Sequence, residues 1–414
     1  MYADIVIIGG GASGYSSAIS AKKTNPSADV VIVEKLSRTG KKIIATGNGK
    51  CNLSNISITE KNYHGSLNTV KIINNTPDWY ELFERELGVM CVQGSEGRSG
   101  GIYPHSNSSS TVVNAFRLKI GNLGIKEVCD FEVKSIDGID GYYIIKSYDK
   151  QIISRKIIIA TGGYASPSFG TDGGMLRIFR ERGYKISKIC PAVSPLKVSS
   201  ESLKGLKGVR VKGEISAISD GKTLRTERGE IQFNENNISG VCVFNLAYLF
   251  QKYGEKLSLY IDLLPEMDFE SVFEYIKNIK KDRAECSIDE LLTGIFVRNM
   301  AVYLMKNTLR RTMTDKIKSL TDGEIRGLVR RIKGLNFDVS GCASWQNAQA
   351  TCGGIHGDCV TENLESRLET GIYFCGEVLD TVGDCGGYNL QWAWSSGLWA
   401  GKKCAESLKG GRND

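Results

Sequence analysis

The stretch Gly9-Gly10-Gly11-Ala12-Ser13-Gly14 spaces its glycines as G-x-G-x-x-G, a pattern that suits a main chain passing close to a pyrophosphate. Gly9 allows the tight turn, Gly11 lets the backbone approach the phosphates, and Gly14 lets the next helix lie close on the strand before it. Ala12 and Ser13 then fall in the first helical turn, where unpaired N–H groups and the helix dipole favour an anion. Glu34 follows Gly14 by 20 residues. A carboxylate there can accept hydrogen bonds from a ribose hydroxyl and would repel a 2′-phosphate, which argues against NADP at this turn. Lys35, next in sequence, is counted with the same edge.

Chemistry-bearing residues recur further along the chain. Lys42 precedes a loop, Thr46-Gly47-Asn48-Gly49-Lys50-Cys51-Asn52, whose small and polar residues can cross a ligand and offer N–H donors; Thr46, Gly47, Gly49, Cys51 and Asn52 are its candidate contacts. An ordinary buried thiol is the simpler reading of Cys51. Thr161 and Gly162 end an apolar run, and Gly376-Glu377 ends another. Beyond it, Gly387-Tyr388-Asn389-Leu390 opens a long helical segment. A strand, turn and helix of this kind place a helix N-terminus at the pyrimidine edge of a flavin ring, where the reduced form carries negative charge. The expected cofactor is therefore FAD, bound non-covalently. His64, His105 and His356 are the only histidines, and His356 follows a glycine pair that would return the chain to the site; no catalytic acid or base is assigned.

These residues need a scaffold that brings strand ends together. Residues 3–8 are apolar, a helix is predicted from about Ser13 to Lys23, and Val30 to Val33 reads as a second buried strand: a βαβ unit with a parallel sheet. Val128–Ile136, Tyr142–Tyr148 and Ile152–Ile159 suggest an antiparallel meander, the last strand rejoining the parallel sheet. The boxes Ser287 to Glu290 and Thr321 to Glu324 mark helix starts in a later region. Ala393, Gly397 and Gly401 form a small-residue stripe, read as helix–sheet contact rather than a membrane motif. The expected domains are 1–190 and 346–414 for the two parts of the nucleotide domain, with 191–264 as a β-rich insertion and 265–345 as a helical one.

Composition narrows the class. The 414 residues are 41% hydrophobic and 24% charged, ordinary for a globular chain, while 47 glycines exceed the usual share of about 7%. The chain enters its first strand with no basic leader, and no apolar run reaches the ~18 residues of a membrane span. A cytoplasmic location is expected, and its 12 cysteines are expected to be thiols. None forms a C-x-x-C pair, and no metal site is expected. The net charge is +7. The basic residues of 306–333 read as a solvated helix face in preference to a nucleic-acid patch.

Taken together, the motifs resemble the HI0933-like family of NAD(P)/FAD-dependent flavoprotein oxidoreductases, which includes aminoacetone-oxidase-like and BaiN-type proteins. Gly9 to Gly14, Thr39 to Lys42 with Thr46 to Asn52, Ala160 to Gly163, and Gly376 to Asp380 with Gly386 to Gln391 carry the likeness. It implies an α/β fold: a two-dinucleotide-binding-like, Rossmann-type FAD domain with an inserted β-barrel and helical region. The family usually has Gly-Gly-Gly-Arg-Cys-Asn where this chain has Gly47-Asn48-Gly49-Lys50-Cys51-Asn52. Lysine keeps the charge and loses the planar fork of arginine, which bears on substrate choice. The expected function is hydride transfer through flavin N5 to or from a small organic substrate, with NAD(P)H as a transient donor. Reduction of an enone-type C=C bond is favoured. The alternatives are an amine oxidase and an RNA-modifying or RNA-binding flavoprotein. No oligomeric partner is assigned.

Overall fold

A computed structural model describes residues 1–94 and 100–409. They divide into two compact units, residues 1–191 with 345–414, and residues 192–344. The first unit is organised by strands apolar on both faces, as a sheet covered from both sides requires. β1 (Tyr2–Ile8) pairs in parallel with β2 (Val30–Val33) on one side, Ile8 opposite Val33. β3 (Lys126–Val128) extends the sheet beyond β2, also in parallel. Asp130, at φ 51°, then turns the chain away. The meander therefore begins only at β4 (Ser135–Ile139), not at Val128, and continues through β5 (Tyr142–Lys146) into β6 (Gln151–Ile159).

β6 does two jobs because it is long. Along one edge it pairs in parallel with β1, Ile8 aligned with Ile159. Along the other, its first half takes β5 antiparallel, and its last three residues take a strand that arrives from the far end of the chain, Ile372–Phe374. The carboxyl ends of four strands are thereby brought to one edge of the sheet. That edge is where open α/β sheets bind ligands.

The second unit holds a closed six-stranded barrel. Its strands are β7 (Leu196–Val198), β8 (Arg210–Ser219), β9 (Lys222–Phe233), β10 (Asn237–Ser239), β11 (Ser258–Asp262) and β12 (Leu335–Cys342). Asp220 and Gly221, both at positive φ, turn the β8–β9 hairpin. β12 lies within the stretch expected to be helical. It closes the barrel only after the helices have been made, so barrel and helices form one unit here instead of two consecutive insertions. The helices are Phe269–Asp282, Arg298–Lys306 and Asp322–Lys333. Both capping boxes are present, but the one at Ser287 opens a single 3-10 turn, Ile288–Glu290. Of the basic residues in 306–333, Arg311, Lys318, Arg326 and Lys333 are paired with Glu324, Glu285, Glu270 and Asp262.

With the strand Ile372–Phe374 numbered β13, two helices of the first unit bear on the site, α1 (Ala12–Thr24) and the C-terminal α2 (Tyr388–Lys409). A Cβ on Gly397 would overlap the Ser13 carbonyl oxygen, and one on Gly401 that of Ser17. The small-residue stripe thus serves helix–helix packing of α2 on α1, not the helix–sheet contact expected, because the backbones approach too closely for any side chain. Among the described residues no helix is long and apolar enough to cross a membrane.

Candidate functional site

The glycine turn closes at the shared strand edge. Gly9 N–H donates to Val33 O at 2.8 Å, Ala160 N–H to Ile8 O at 2.8 Å, and Cys375 N–H to Ile159 O at 3.0 Å, so β1, β2, β6 and β13 end together. Gly9 sits at φ 107°, and a Cβ there would come within 2.5 Å of Ala160 O. Gly14 has no room either, since a Cβ would overlap the Gly9 carbonyl. Gly11 is different: among the described residues, a Cβ there would meet no atom within 4 Å. Those residues do not explain that glycine. A body lying against the turn would.

α1 starts at this spot with Gly11 as its cap, no side-chain cap bond and no acid in the first turn. The orphan N–H groups of Ala12, Ser13 and Gly14 are thus presented at its positive end. Glu34 is held beside them. Its Oε2 accepts from Gly10 N–H and its Oε1 from Leu36 N–H, both at 2.9 Å. Each oxygen keeps a further lone pair, so the carboxylate is fixed in direction and still able to accept from a ribose. Lys35 points elsewhere, to Asp172 at 2.6 Å and Glu132 at 3.1 Å.

A second cluster forms where β6 and β13 end. Glu377 Oε2 accepts from Gly163 N–H at 3.2 Å and pairs with Lys42 Nζ at 2.8 Å, while Oε1 accepts from Thr351 N–H at 2.6 Å. The Thr351 hydroxyl in turn accepts from the N–H groups of Tyr164 and Ala165 at 2.8 and 3.0 Å. Thr351 is fully buried and locks the 162–165 turn, a role the sequence did not suggest because its partners lie 187 and 186 residues away. Gly162 sits at φ 72° and Gly376 at φ 75°, where a Cβ would come within 2.5 Å of Ser13 Oγ.

The 46–52 loop and the start of α2 form the third part. Gly47, Asn48, Gly49 and Cys51 all have positive φ. Thr46 closes the preceding turn through its hydroxyl to Ile43 O at 2.6 Å. Cys51 is fully buried, and burial pushes its thiol up to about 12, so it is a neutral packing group at physiological pH. Asn52, with its amide oriented by its neighbours, accepts from Gly387 N–H at 3.3 Å and from the Tyr103 hydroxyl at 3.1 Å. Asn55 donates to Gly386 O at 2.9 Å. The loop is therefore tied directly to the helix start, 335 residues on. Gly387 needs no side chain because one would overlap Ser54 O. The side chains of Tyr388 and Asn389, read as candidate ligand contacts, are engaged within the protein: Tyr388 donates to Ser57 O at 3.1 Å, and Asn389 spans the Gly383–Asp384 turn. Leu390 is half-buried in the first turn of α2.

Residues 3–403 match the family described as the HI0933-like protein Rossmann domain. The chain belongs to this family. It is 32% identical over 97% of its length, and 99% of the relative's, to a 3-dehydro-bile acid delta(4,6)-reductase of Clostridium scindens. It is 25% identical to a ribosomal RNA dihydrouridine synthase of Haemophilus influenzae, covering 95% of this chain and 96% of that one. Among solved structures, a quinol–fumarate reductase with menaquinol molecules shares the fold at a TM-score of 0.52 and 14% identity, over the whole of this chain and 73% of that one. As a member of the HI0933-like family, the protein is an FAD-dependent oxidoreductase.

The residues present fit that cofactor. The space in front of Gly11 and the uncapped α1 suit an anion, and the fixed Glu34 carboxylate suits a hydroxyl donor such as a ribose. Thr161 Oγ1, just past the end of β6, is shielded from solvent and has no hydrogen-bond partner among the described residues, an expense that a bound polar group removes. Of the histidines, His356 Nδ1 accepts from Asp358 N–H at 3.2 Å as a helix cap. His64 pairs with Asp384 at 3.0 Å near the start of α2.

Proposed function

We propose that this protein reduces a C=C bond conjugated to a carbonyl, with NAD(P)H as the transient electron donor. The observation that carries the reading is the 32% identity, end to end, with a bile acid delta(4,6)-reductase. Bound FAD would supply a hydride donor and acceptor at N5. Saturation of a conjugated bond adds a hydride to the carbon β to the carbonyl and a proton to the α carbon. Ala12, Ser13 and Gly14 would hold the pyrophosphate with Gly9 and Gly11, Glu34 the ribose, and Thr161, Gly162, Gly376 and Glu377 the middle of the cofactor. Lys42 stands beside Glu377 as its counter-ion. The 46–52 loop, Gly387 and the α2 start would face the ring.

A second reading is favoured by the dihydrouridine synthase relative. Dihydrouridine is uridine saturated at a bond that is also conjugated to a ring carbonyl. The two readings therefore share one reaction and differ in whether the substrate is a small molecule or a base in RNA. Rapid mixing without oxygen separates the possibilities. NADH or NADPH is expected to bleach the flavin, and a conjugated keto-steroid to reoxidise it. Reoxidation by uridine-containing RNA alone moves the assignment to the second reading. No bleaching by either nicotinamide, with fast reoxidation by oxygen after an amine donor, overturns both in favour of an oxidase.

A further inference from the structure

The start of α2 is gripped by the segment from Asn52 to His64, and one of these contacts joins His64 to a buried carboxylate. His64 lies in the short strand Tyr63–Gly65, which pairs antiparallel with Thr381–Gly383. Its Nε2 stands 3.0 Å from Oδ1 of Asp384, a side chain only 4% exposed. Asn62 Nδ2 lies 3.4 Å from the other oxygen, and the Asp384 N–H donates to Asn62 O at 2.9 Å. From the helix side, Asn389 accepts from Gly383 N–H at 2.9 Å and donates to the Gly383 and Asp384 carbonyls at 2.8 and 3.3 Å. The pair is thereby tied through one residue to the first turn of α2.

A buried carboxylate beside a helix N-terminus opposes the field that the helix offers to an anion, and a cationic histidine next to it cancels that opposition. Tyr63 and Cys385 also face Asp384, and burial keeps both neutral, with the Cys385 thiol pushed up to about 11. We propose that His64 and Asp384 are positioning residues that set the charge beside the α2 N-terminus, and through it the reduction potential of the bound flavin. The proposal rests on the pyrimidine edge of the flavin lying at that helix start. It does not depend on which substrate is reduced.

The test is a dye-equilibrated reductive titration of the FAD-loaded protein. Asp384→Asn removes the carboxylate from the pair and is expected to raise the potential. His64→Gln removes the imidazole and keeps the carboxylate, and is expected to lower it. Each shift corresponds to a change on the order of tenfold in the ratio of affinities for reduced and oxidised FAD, in opposite directions, for one partly shielded unit charge. The double variant is expected to return close to the wild-type value, and His64→Arg to retain it. Shifts of the same sign in both single variants, or no shift, overturn the proposal. Oxidised FAD carries no charge on its ring, so its dissociation constant is expected to stay near the wild-type value. Loss of oxidised FAD from both single variants therefore also overturns it and assigns the pair a purely structural role.

Discussion

Two glycines of the same turn fail differently when given a methyl group. A Cβ on Gly14 would overlap the Gly9 carbonyl, so Gly14→Ala is expected to force strand and helix apart and lower the melting temperature of the apoprotein. Gly11 has an ordinary φ of −90° and open space in front of it. Gly11→Ala is therefore expected to fold with an unchanged melting curve and yet purify without FAD, which the absorbance spectrum shows directly. Glu34→Gln removes the charge that Gly10 and Leu36 hold in place. A charge-assisted hydrogen bond contributes about 1.5–3 kcal/mol, so FAD affinity is expected to fall by roughly 10- to 100-fold in a flavin fluorescence titration. At this scale the glycines and Glu34 were readable because their spacing is local. Thr351 was not, since nothing near it in sequence indicates that it caps a turn from residue 164.

Helix packing sets the second scale. Replacing glycine by alanine inside a helix ordinarily gains about 1 kcal/mol in propensity. At Gly401 the added methyl would overlap Ser17 O, and α1 and α2 cannot part without opening the core between them. Gly401→Ala is therefore expected to destabilise, and a rise in melting temperature would show that the two helices are not in close contact. On the helix Asp322–Lys333, Thr321 accepts from Glu324 N–H and Glu324 reaches back to Thr321 N–H. Thr321→Ala is expected to cost about 1 kcal/mol in denaturant unfolding. Glu324 is held at about 2, below its usual 4.5, first by Arg311 and then by the Thr321 N–H. A depressed carboxylate contributes stability above its unfolded value and loses it as pH falls through the folded one. The stability lost in Glu324→Gln is thus expected to shrink between pH 4.5 and about 2. These boxes were legible in the sequence, but the length of helix behind each was not: Ser287 opens one 3-10 turn because the chain turns back immediately.

Across the whole molecule, burial governs the thiols. Cys51, Cys352 and Cys375 are each pushed up to about 12 by burial, so the native protein at mildly alkaline pH is expected to react with a disulfide reagent only at partly exposed sites such as Cys286. All 12 are expected to react after denaturation. Fast native labelling of Cys51 would contradict its packing role beside the 46–52 loop. The sequence by itself determined the cofactor class and the parallel βαβ start, and it singled out the glycine turn at 9–14, because turn chemistry and apolar periodicity are written over a few residues. Only the tertiary structure decided that β12 closes the barrel after the helices, that Glu377 gathers Lys42, Gly163 and Thr351, and that His64 meets Asp384. Those meetings depend on strand register between segments hundreds of residues apart, and register is fixed by burial of whole sheet faces, not by any local pattern.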